Sequence, residues 1–437
     1  MRDLFFMAVL PVIVYFMFQR PFIAVGMWIW TAMFFPNAWL YGMASGLRYN
    51  LIFTGITMLG YVLLKDKPKI SFGTLGGLIL LFFVWTTLST ALTSGLPEIS
   101  WEYWSRFSKV ILLFVFVYLV IDKKLHIDFF LWCVVLSIGF YGGLEALKFV
   151  ASGGGHMIAG FTGHVLGDRN ELALAFVILL PLCFYLLGEY GPQSRLIRLG
   201  MLGLMGLLVA GVIGTQSRGG FIALLGLAAY LFVKTERKIL MTVLIAVIVG
   251  GMSYLVSDDW SSRMNTINEA GEDASFMGRV VAWKLSFIMA TQHPFFGGGF
   301  KTLEYFPMWQ ALSQDFFSYS FFYTGDALPD EQKARAAHSV YFQVLGEHGF
   351  VGLAIYLAFL VKAFTSAGKV ARVARKHVET ASIATLATML QLSIFAFCLG
   401  GAALSFAYFD LLFAIFGLIL VLETRLLPRA LAQIAAK

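Results

Sequence analysis

The sequence predicts an all-α polytopic membrane protein, built as one bundle of about 12 transmembrane helices with a long loop on its outer side. Of its 437 residues, 59% are hydrophobic and 13% are charged, whereas a soluble domain carries about 25% charged residues. Apolar runs recur at lengths that cross ~30 Å of hydrocarbon as helices. Lysine and arginine collect in the short loops on one side, as they do on the cytoplasmic side of membrane proteins.

The apolar runs define the predicted helices in order. After residue 48 they lie near 49–64, 73–93, 107–121, 127–150, 171–189, 197–214, 219–233, 239–256, 341–364, 380–400 and 404–422. The first 35 residues fit either one broken span or two short ones, divided at Gln19, Arg20 and Pro21. We therefore expect about 12 helices, or about 13 if the first stretch divides.

Basic clusters set the predicted orientation. They lie at 65–69, 123–124, 195–198, 234–238, 369–376 and 425–437. Counting helices between them places every cluster on one side, which the positive-inside rule assigns to the cytoplasm. The formal charge of +7 is thus explained by orientation, and no nucleic-acid partner is expected.

The long outer segment divides the chain into three regions of one integral domain: helices in 1–256, a periplasmic loop region at 257–338, and helices with a cytoplasmic tail in 339–437. The loop has more acidic than basic residues, and we expect short helices along the membrane in it. Trp260, Trp283, Trp309 and the run "FFSYSFFY" suit a membrane interface or a groove for long apolar or sugar ligands.

Three arginines stand at or beside the ends of apolar segments on the predicted outer face: Arg169, Arg218 and Arg279. Arginine close to hydrocarbon is costly unless it is paired or reaches the interface. Salt bridges are the plainer interpretation, with Asp168 or Glu171 as partners for Arg169. The alternative is that the guanidinium groups converge on an anion, because their planar forks suit phosphate oxygens.

His338 begins the apolar run that continues to about residue 364. The positive end of a helix dipole disfavours imidazolium, and a neutral imidazole near physiological pH is a natural general base for a hydroxyl. The other interpretation is a histidine that only caps the helix.

Cofactor motifs are absent from the sequence, which contains no Walker loop, no dinucleotide-binding fingerprint and no zinc spacing. Glu98, Glu102 and the pair Asp258 and Asp259 remain as possible oxygen ligands, although paired acids of this kind more often form a solvated helix cap. We expect no metal and no cofactor.

The stretch "AAHSVYFQVLGEHGFVG" (336–352) gives the first family resemblance. His338, Ser339, nine residues, Gly349, two residues and Gly352 resemble the signature of bacterial O-antigen ligases. Arg218 in "SRGG", Arg279 in "GRVVAW" and "HPFFGGGF" at 293–300 are similar to that family's outward-facing sequences. The resemblance extends to the branch associated with exosortase systems.

The resemblance implies a GT-C-like membrane glycosyltransferase of the inner membrane, independent of metal and of nucleotide sugars, with its active site facing the periplasm. Such an enzyme moves a glycan from undecaprenyl diphosphate to a sugar hydroxyl of lipid A-core, with membrane lipids around it. Arg218, Arg279 and Arg169 would bind the diphosphate, and His338 would be the general base of an inverting reaction. Gly349 and Gly352, on one helical face, would let a neighbouring helix approach, and Glu347 and His348 between them would face the cavity.

Two kinds of alternative remain open. A polysaccharide polymerase or a protein O-oligosaccharyltransferase would use the same lipid donor and the same residues with another acceptor. A lipid or sugar transporter would explain many helices with polar breaks, but it predicts inverted repeats or ionisable groups near mid-membrane. The polar groups here cluster at one face, which favours surface chemistry.

Overall fold

The computed structural model describes residues 2–234, 238, 239, 242, 246, 250, 274–320 and 322–436. Within them, all regular structure is helical. The main helices are α1 (Arg2–Gln19), α2 (Pro21–Phe34), α3 (Tyr49–Leu63), α4 (Gly73–Ala91), α5 (Pro97–Val120), α6 (Lys124–Ala151), α7 (Arg169–Tyr190), α8 (Arg195–Gly214), α9 (Arg218–Lys234), α10 (Ala274–Gln292), α11 (Phe306–Gln314), α12 (Val340–Ala374), α13 (Ala381–Gly400), α14 (Asp410–Val421) and α15 (Leu427–Ala435).

The helices confirm the predicted all-α polytopic class. In the described part of the chain, nine helices are long and apolar enough to cross a membrane, and α2, α3 and α9 are shorter apolar helices. The predicted span 239–256 falls largely outside the described residues, and so do Asp258, Asp259 and Trp260.

The first 35 residues form two helices. Arg20 is extended, with φ −141° and ψ 95°, and Pro21 takes the first position of α2, where its missing N–H costs nothing. Arg2 donates from Nη2 to the Tyr41 hydroxyl at 2.7 Å, which brings the start of α1 beside the segment that follows α2. The two helices therefore run in opposite directions, which corresponds to the larger of the two helix totals expected.

Three of the predicted basic clusters meet at one end of the bundle. Arg425 donates from Nη2 to the Lys69 carbonyl at 3.1 Å, and Arg429 donates from Nη1 to the Asp122 carbonyl at 3.0 Å. These bonds join the chain after α14 to the loops that follow α3 and α5. The clusters near residues 69, 123 and 425 thus lie on one side, as their sequence positions predict.

The outer loop region contains α10 and α11, packed around a small apolar cluster. Its buried members include Val281, Leu285, Met289, Trp309, Leu312 and Phe316. Trp309 is 1% exposed and donates from Nε1 to the Asp330 carbonyl at 3.0 Å. Trp309 is thus part of the loop's own core, and it also lines a small cavity of about 120 Å³.

Helix α12 is interrupted at Gly349, whose φ of 70° and ψ of −173° are not helical. Glycine adopts this conformation readily because it has no Cβ, and a Cβ here would lie 2.6 Å from the Phe295 carbonyl oxygen. The expectation that Gly349 shares a helical face with Gly352 is therefore wrong. Gly352 itself does permit close approach, since a Cβ there would lie 3.4 Å from Trp85 of α4.

The glycine-rich loop 293–300 satisfies the backbone groups exposed by this break. Gly298 donates its N–H to the Gly346 carbonyl at 2.9 Å, and Gly299 donates to the Glu347 carbonyl at 2.8 Å. Buried carbonyls without such donors would cost several kcal/mol each in hydrocarbon. Loop and helix break therefore form one structural unit.

Helix α4 completes this unit from the opposite side. The Ser89 hydroxyl lies 2.8 Å from the Glu347 carbonyl oxygen, and Trp85 donates from Nε1 to the His348 carbonyl at 3.2 Å. The first half of α12, residues 340–348, is thereby fixed as a short helix. Its N-terminal end carries His338.

We predict that Gly349→Ala lowers the free energy of unfolding by about 2 kcal/mol or more, since alanine would adopt a strained backbone against the Phe295 carbonyl. Thermal unfolding in detergent measures this as a lower melting temperature. Gly77→Ala in α4 is the matched control, because no atom lies within 4 Å of a Cβ there, and it should leave the melting temperature unchanged or slightly raised. Equal melting temperatures for the two variants would contradict the account of the break.

Candidate active site

The segment 400–410, which connects α13 to α14, is the meeting point of the residues singled out by the sequence. It contains a 3-10 turn, Gly401–Ala403, followed by an irregular stretch to Asp410. Its backbone and side chains contact the surroundings of Arg218, Arg279 and His338.

His338 is held in an unusual backbone conformation by this segment. Its φ is 46°, in the left-handed region that costs a residue with a side chain about 1–3 kcal/mol. Its N–H donates to the Ser405 hydroxyl at 2.8 Å. Strain of this kind persists where the surrounding structure imposes it, and it is concentrated at functional sites.

The imidazole of His338 keeps accessible surface but is closely surrounded by protein. Burial lowers its pKa below the ordinary value of 6.5, and the positive charge of Arg279 lowers the pKa further. Acidic groups nearby, among them Asp168, oppose this shift without reversing it. His338 is therefore uncharged at neutral pH, which is the form that accepts a proton.

Arg279 approaches His338 because α10 is fixed against the chain that precedes α12. Trp283, one turn after Arg279, donates from Nε1 to the Ala337 carbonyl at 2.7 Å and stacks on Phe342 at 5.2 Å between ring centroids. Residues four apart lie on the same helical face. Arg279 Nη1 lies 3.5 Å from the Ala403 carbonyl oxygen, at the start of the 400–410 segment.

Arg218 is the first residue of α9, and the start of this helix packs on the same segment. A Cβ at the next residue, Gly219, would lie 3.3 Å from the Cβ of Ala403. Ser217 accepts the Gly220 N–H at 3.1 Å, which caps the helix. The N-terminus of α9 is therefore fixed beside the loop that also contacts Arg279 and His338.

Arg169 begins α7 at the edge of this group. Ser217 donates to Asn170 Oδ1 at 2.8 Å, which ties the start of α7 to the start of α9. Asp168 accepts the Asn170 N–H at 2.8 Å as the helix cap. Arg169 Nη1 lies 3.6 Å from the sulfur of Met157, which directs its guanidinium towards the outer loop 151–168.

Three helix N-termini therefore lie in the same region as the arginines, around the 400–410 segment. α7, α9 and the first half of α12 all begin here, and each N-terminus carries a partial positive charge. Such ends bind phosphate oxygens through their free N–H groups. The arrangement suits a multiply charged anion.

A cavity of about 500 Å³ lies on the other side of the 400–410 segment. Ser405 and Tyr408 of that segment line it, and so do cationic side chains that the sequence interpretation missed: Arg106, Lys109 and Lys301. Arg106 and Lys109 interrupt an apolar helical run at a spacing of three residues, a signal that could have been noticed. A neighbouring cavity of about 430 Å³ shares Tyr103, Arg106 and Lys301 with the first.

Glu347 and His348 form a buried network and do not line either of these two cavities. The Tyr408 hydroxyl donates to Glu347 Oε2 at 2.5 Å and lies 2.8 Å from His348 Nε2. His348 Nδ1 lies 2.9 Å from the Ser89 hydroxyl. The expectation that the two side chains face the cavity is therefore wrong, because they join α4, α12 and the 400–410 segment; only Tyr408 reaches the cavity.

No group of three or more histidine, cysteine, aspartate or glutamate side chains suited to a metal ion occurs among the residues that the structure describes. Glu102, one of the possible oxygen ligands, pairs with Arg106 at 2.5 Å. Asp258 and Asp259 lie outside the described residues.

We predict that Tyr408→Phe lowers the free energy of unfolding by about 2–3 kcal/mol, because it leaves buried Glu347 and His348 without their shared partner. The control is Tyr356→Phe, which removes only one long hydrogen bond, 3.3 Å to the Ala407 carbonyl, from a tyrosine that is fully buried. Detergent thermal unfolding of both variants checks this. A smaller effect at position 408 than at position 356 would contradict the network.

Two family matches cover most of the chain. Residues 203–357 match the family described as O-antigen ligase, and residues 1–190 match a family of unknown function. No curated protein matches the chain significantly. The first match contains Arg218, Arg279, His338 and both glycines of the signature. Residues 203–357 of this chain are therefore similar to the O-antigen ligase family.

Proposed function

We propose that the protein is an O-antigen ligase that transfers a glycan from undecaprenyl diphosphate to a sugar hydroxyl of lipid A-core on the periplasmic side of the inner membrane. The family match supports a glycosyltransferase of the O-antigen ligase type. The donor, acceptor and mechanism are our proposal. The proposed reaction is a step of lipopolysaccharide biosynthesis. Membership of the exosortase-associated branch stays a prediction.

The observation that carries the proposal is His338, uncharged and held in a left-handed conformation beside Arg279. A histidine that served only as a helix cap would not need this strain. A low pKa keeps the imidazole ready to accept a proton, and the adjacent cation is suited to the negative charge that grows on a departing diphosphate.

The proposed reaction is a single in-line displacement. A nitrogen of His338 takes the proton from the acceptor hydroxyl while that oxygen forms a bond to the anomeric carbon of the donor glycan. The bond between that carbon and the diphosphate oxygen breaks, and its electron pair remains on the diphosphate. Attack opposite to the leaving group inverts the anomeric configuration.

Arg218 and Arg279, with Arg169 at the edge, are proposed to hold the diphosphate. Their guanidinium groups and the N-termini of α7 and α9 supply the positive potential that a divalent ion supplies in other glycosyltransferases. The proposed reaction is therefore independent of metal. A polymerase or a protein O-oligosaccharyltransferase would differ in its acceptor, which the transfer assay identifies directly.

We predict that His338→Ala reduces transfer from undecaprenyl-diphosphate-linked glycan to lipid A-core by about 10²–10⁴-fold, the usual contribution of a general base. Purified protein in detergent, with the product measured by mass spectrometry, provides the assay. His293→Ala is the matched control, since His293 is an exposed histidine that lines neither cavity and whose ring is bonded only weakly to Ser94 at 3.4 Å.

His338→Ala activity equal to that of His293→Ala would show that the base assignment is wrong. The same assay in excess EDTA should retain full activity. Activity lost with EDTA and restored by magnesium or manganese would contradict the proposed role of the arginines.

We predict that transfer falls as the pH drops through the lowered pKa of His338, with half-maximal activity below pH 6.5, because protonated imidazole cannot accept a proton. Arg279→Gln removes the positive charge that helps to lower this pKa. The acidic limb of the pH–activity profile should therefore move to higher pH. Arg279→Lys keeps the charge and should leave the limb close to that of the wild type. Identical acidic limbs for Arg279→Gln and Arg279→Lys would contradict the electrostatic coupling between Arg279 and His338.

A further inference from the structure

Three cationic side chains, Arg106, Lys109 and Lys301, line one wall of the cavity of about 500 Å³, and none of the arginines of the proposed diphosphate site lines it. Arg106 and Lys109 lie three residues apart on α5, so they share one face of that helix. Lys301 lies opposite them. The Tyr103 ring stands between, 4.7 Å from the Arg106 guanidinium carbon and 4.9 Å from the Lys301 ammonium nitrogen.

Lys109 is an exposed residue near the middle of α5, Pro97–Val120. The apolar run from Val110 to Val120 that follows it is about 17 Å long at 1.5 Å per residue, roughly half of a ~30 Å hydrocarbon layer. Lysine at such a depth is costly and usually functional. Within the described residues Lys109 has no hydrogen-bond or ion-pair partner, and its side chain remains accessible.

The acidic groups of this cavity do not pair with Lys109. Glu171 lies in the first turn of α7 and Asp410 in the first turn of α14, where the helix dipole faces their carboxyl groups. Lys301 pairs with Glu304 at 2.6 Å. Glu102 pairs with Arg106 at 2.5 Å, but both side chains are more than half exposed. A ligand anion can therefore compete for Arg106, and Lys109 is available to it directly.

We propose that this wall, made of Arg106, Lys109 and Lys301, binds a phosphate group of the acceptor glycolipid, the second substrate; this inference rests on the proposed transferase function. The 400–410 segment separates two sets of cations: Arg218 and Arg279 approach its beginning, and the cavity lies at its end. Ser405 both accepts the His338 N–H and lines the cavity. His338 therefore lies between the proposed diphosphate site and the proposed acceptor-phosphate site. The general base belongs there, because it removes the proton of the acceptor hydroxyl that attacks the donor.

The neighbouring cavity of about 430 Å³ supports a lipid-borne ligand. It shares Tyr103, Arg106 and Lys301 with the first cavity, and its other lining side chains are mostly apolar or aromatic, including Leu96, Ile99, Phe300, Tyr305 and Phe306. Aromatic faces suit sugar rings, and the apolar side chains suit acyl chains. The two cavities together offer room for a phosphorylated sugar headgroup near the outer edge of the bilayer.

The test compares Lys109→Gln and Arg106→Gln with wild type in steady-state transfer assays. The acceptor is detergent-solubilised lipid A-core, used with its phosphates and after their removal by hydrofluoric acid. Lys148→Gln is the matched control, an outer-end lysine that pairs with Glu145 at 2.6 Å and lines neither cavity. Direct binding of the same two acceptors, measured by the protein's tryptophan fluorescence, gives a readout that does not need turnover.

We expect each cavity variant to raise the KM for the phosphorylated acceptor by roughly tenfold or more, the effect of losing one charge-assisted hydrogen bond. The donor KM should stay within about twofold, and the variants should not differ from wild type with dephosphorylated acceptor. A rise in donor KM, or an equal loss with both acceptors, would overturn the inference. Wild-type protein that transfers no glycan yet binds phosphorylated acceptor through Lys109 would count against the proposed function and not against this site.

Discussion

The need to satisfy buried backbone hydrogen bonds is the constraint on which the rest of this structure depends. Helix α12 breaks at Gly349, and the carbonyl groups of buried Gly346 and Glu347 then need donors from elsewhere in the protein. The glycine-rich loop 293–300 supplies N–H donors at Gly298 and Gly299, and α4 supplies Ser89. Because the loop must lie there, Lys301 follows it directly into the cavity, and the short helix 340–348 directs its N-terminus to the outer end.

The charged and titratable groups of the proposed site lie around the N-terminus of this short helix. His338 precedes it in a strained conformation, and burial, together with the charge of Arg279, lowers the pKa of its imidazole. The same charge is suited to stabilising a leaving diphosphate, so one interaction serves both halves of the proposed displacement. The 400–410 segment lies between this group and the cationic wall of the cavity. In the proposed reaction, the diphosphate donor and the phosphorylated acceptor would therefore bind on different sides of His338.

Sequence reasoning predicted the parts of this arrangement that depend on hydrophobicity and charge along the chain. The helical class and the basic end of the bundle follow from local patterns. The same patterns single out Arg218, Arg279 and His338, whose functional roles stay predictions. The break at Gly349 was missed because a spacing of three residues between glycines fits a helical face as well as it fits a left-handed turn. The position of Lys109 in a cavity cannot be read from the sequence, because the cavity arises from packing among α2, α5 and the 400–410 segment, which are far apart in sequence.

The most direct test of the central claim, that two separate cationic groups flank His338, is a cryo-electron microscopy structure with bound undecaprenyl-diphosphate-linked glycan. The account predicts the diphosphate within about 2.7–3.2 Å of the guanidinium nitrogens of Arg218 and Arg279, with the anomeric carbon facing His338 and the cavity beside Lys109 left open. A diphosphate bound to Arg106 and Lys109, with Arg218 and Arg279 distant from it, would contradict the claim.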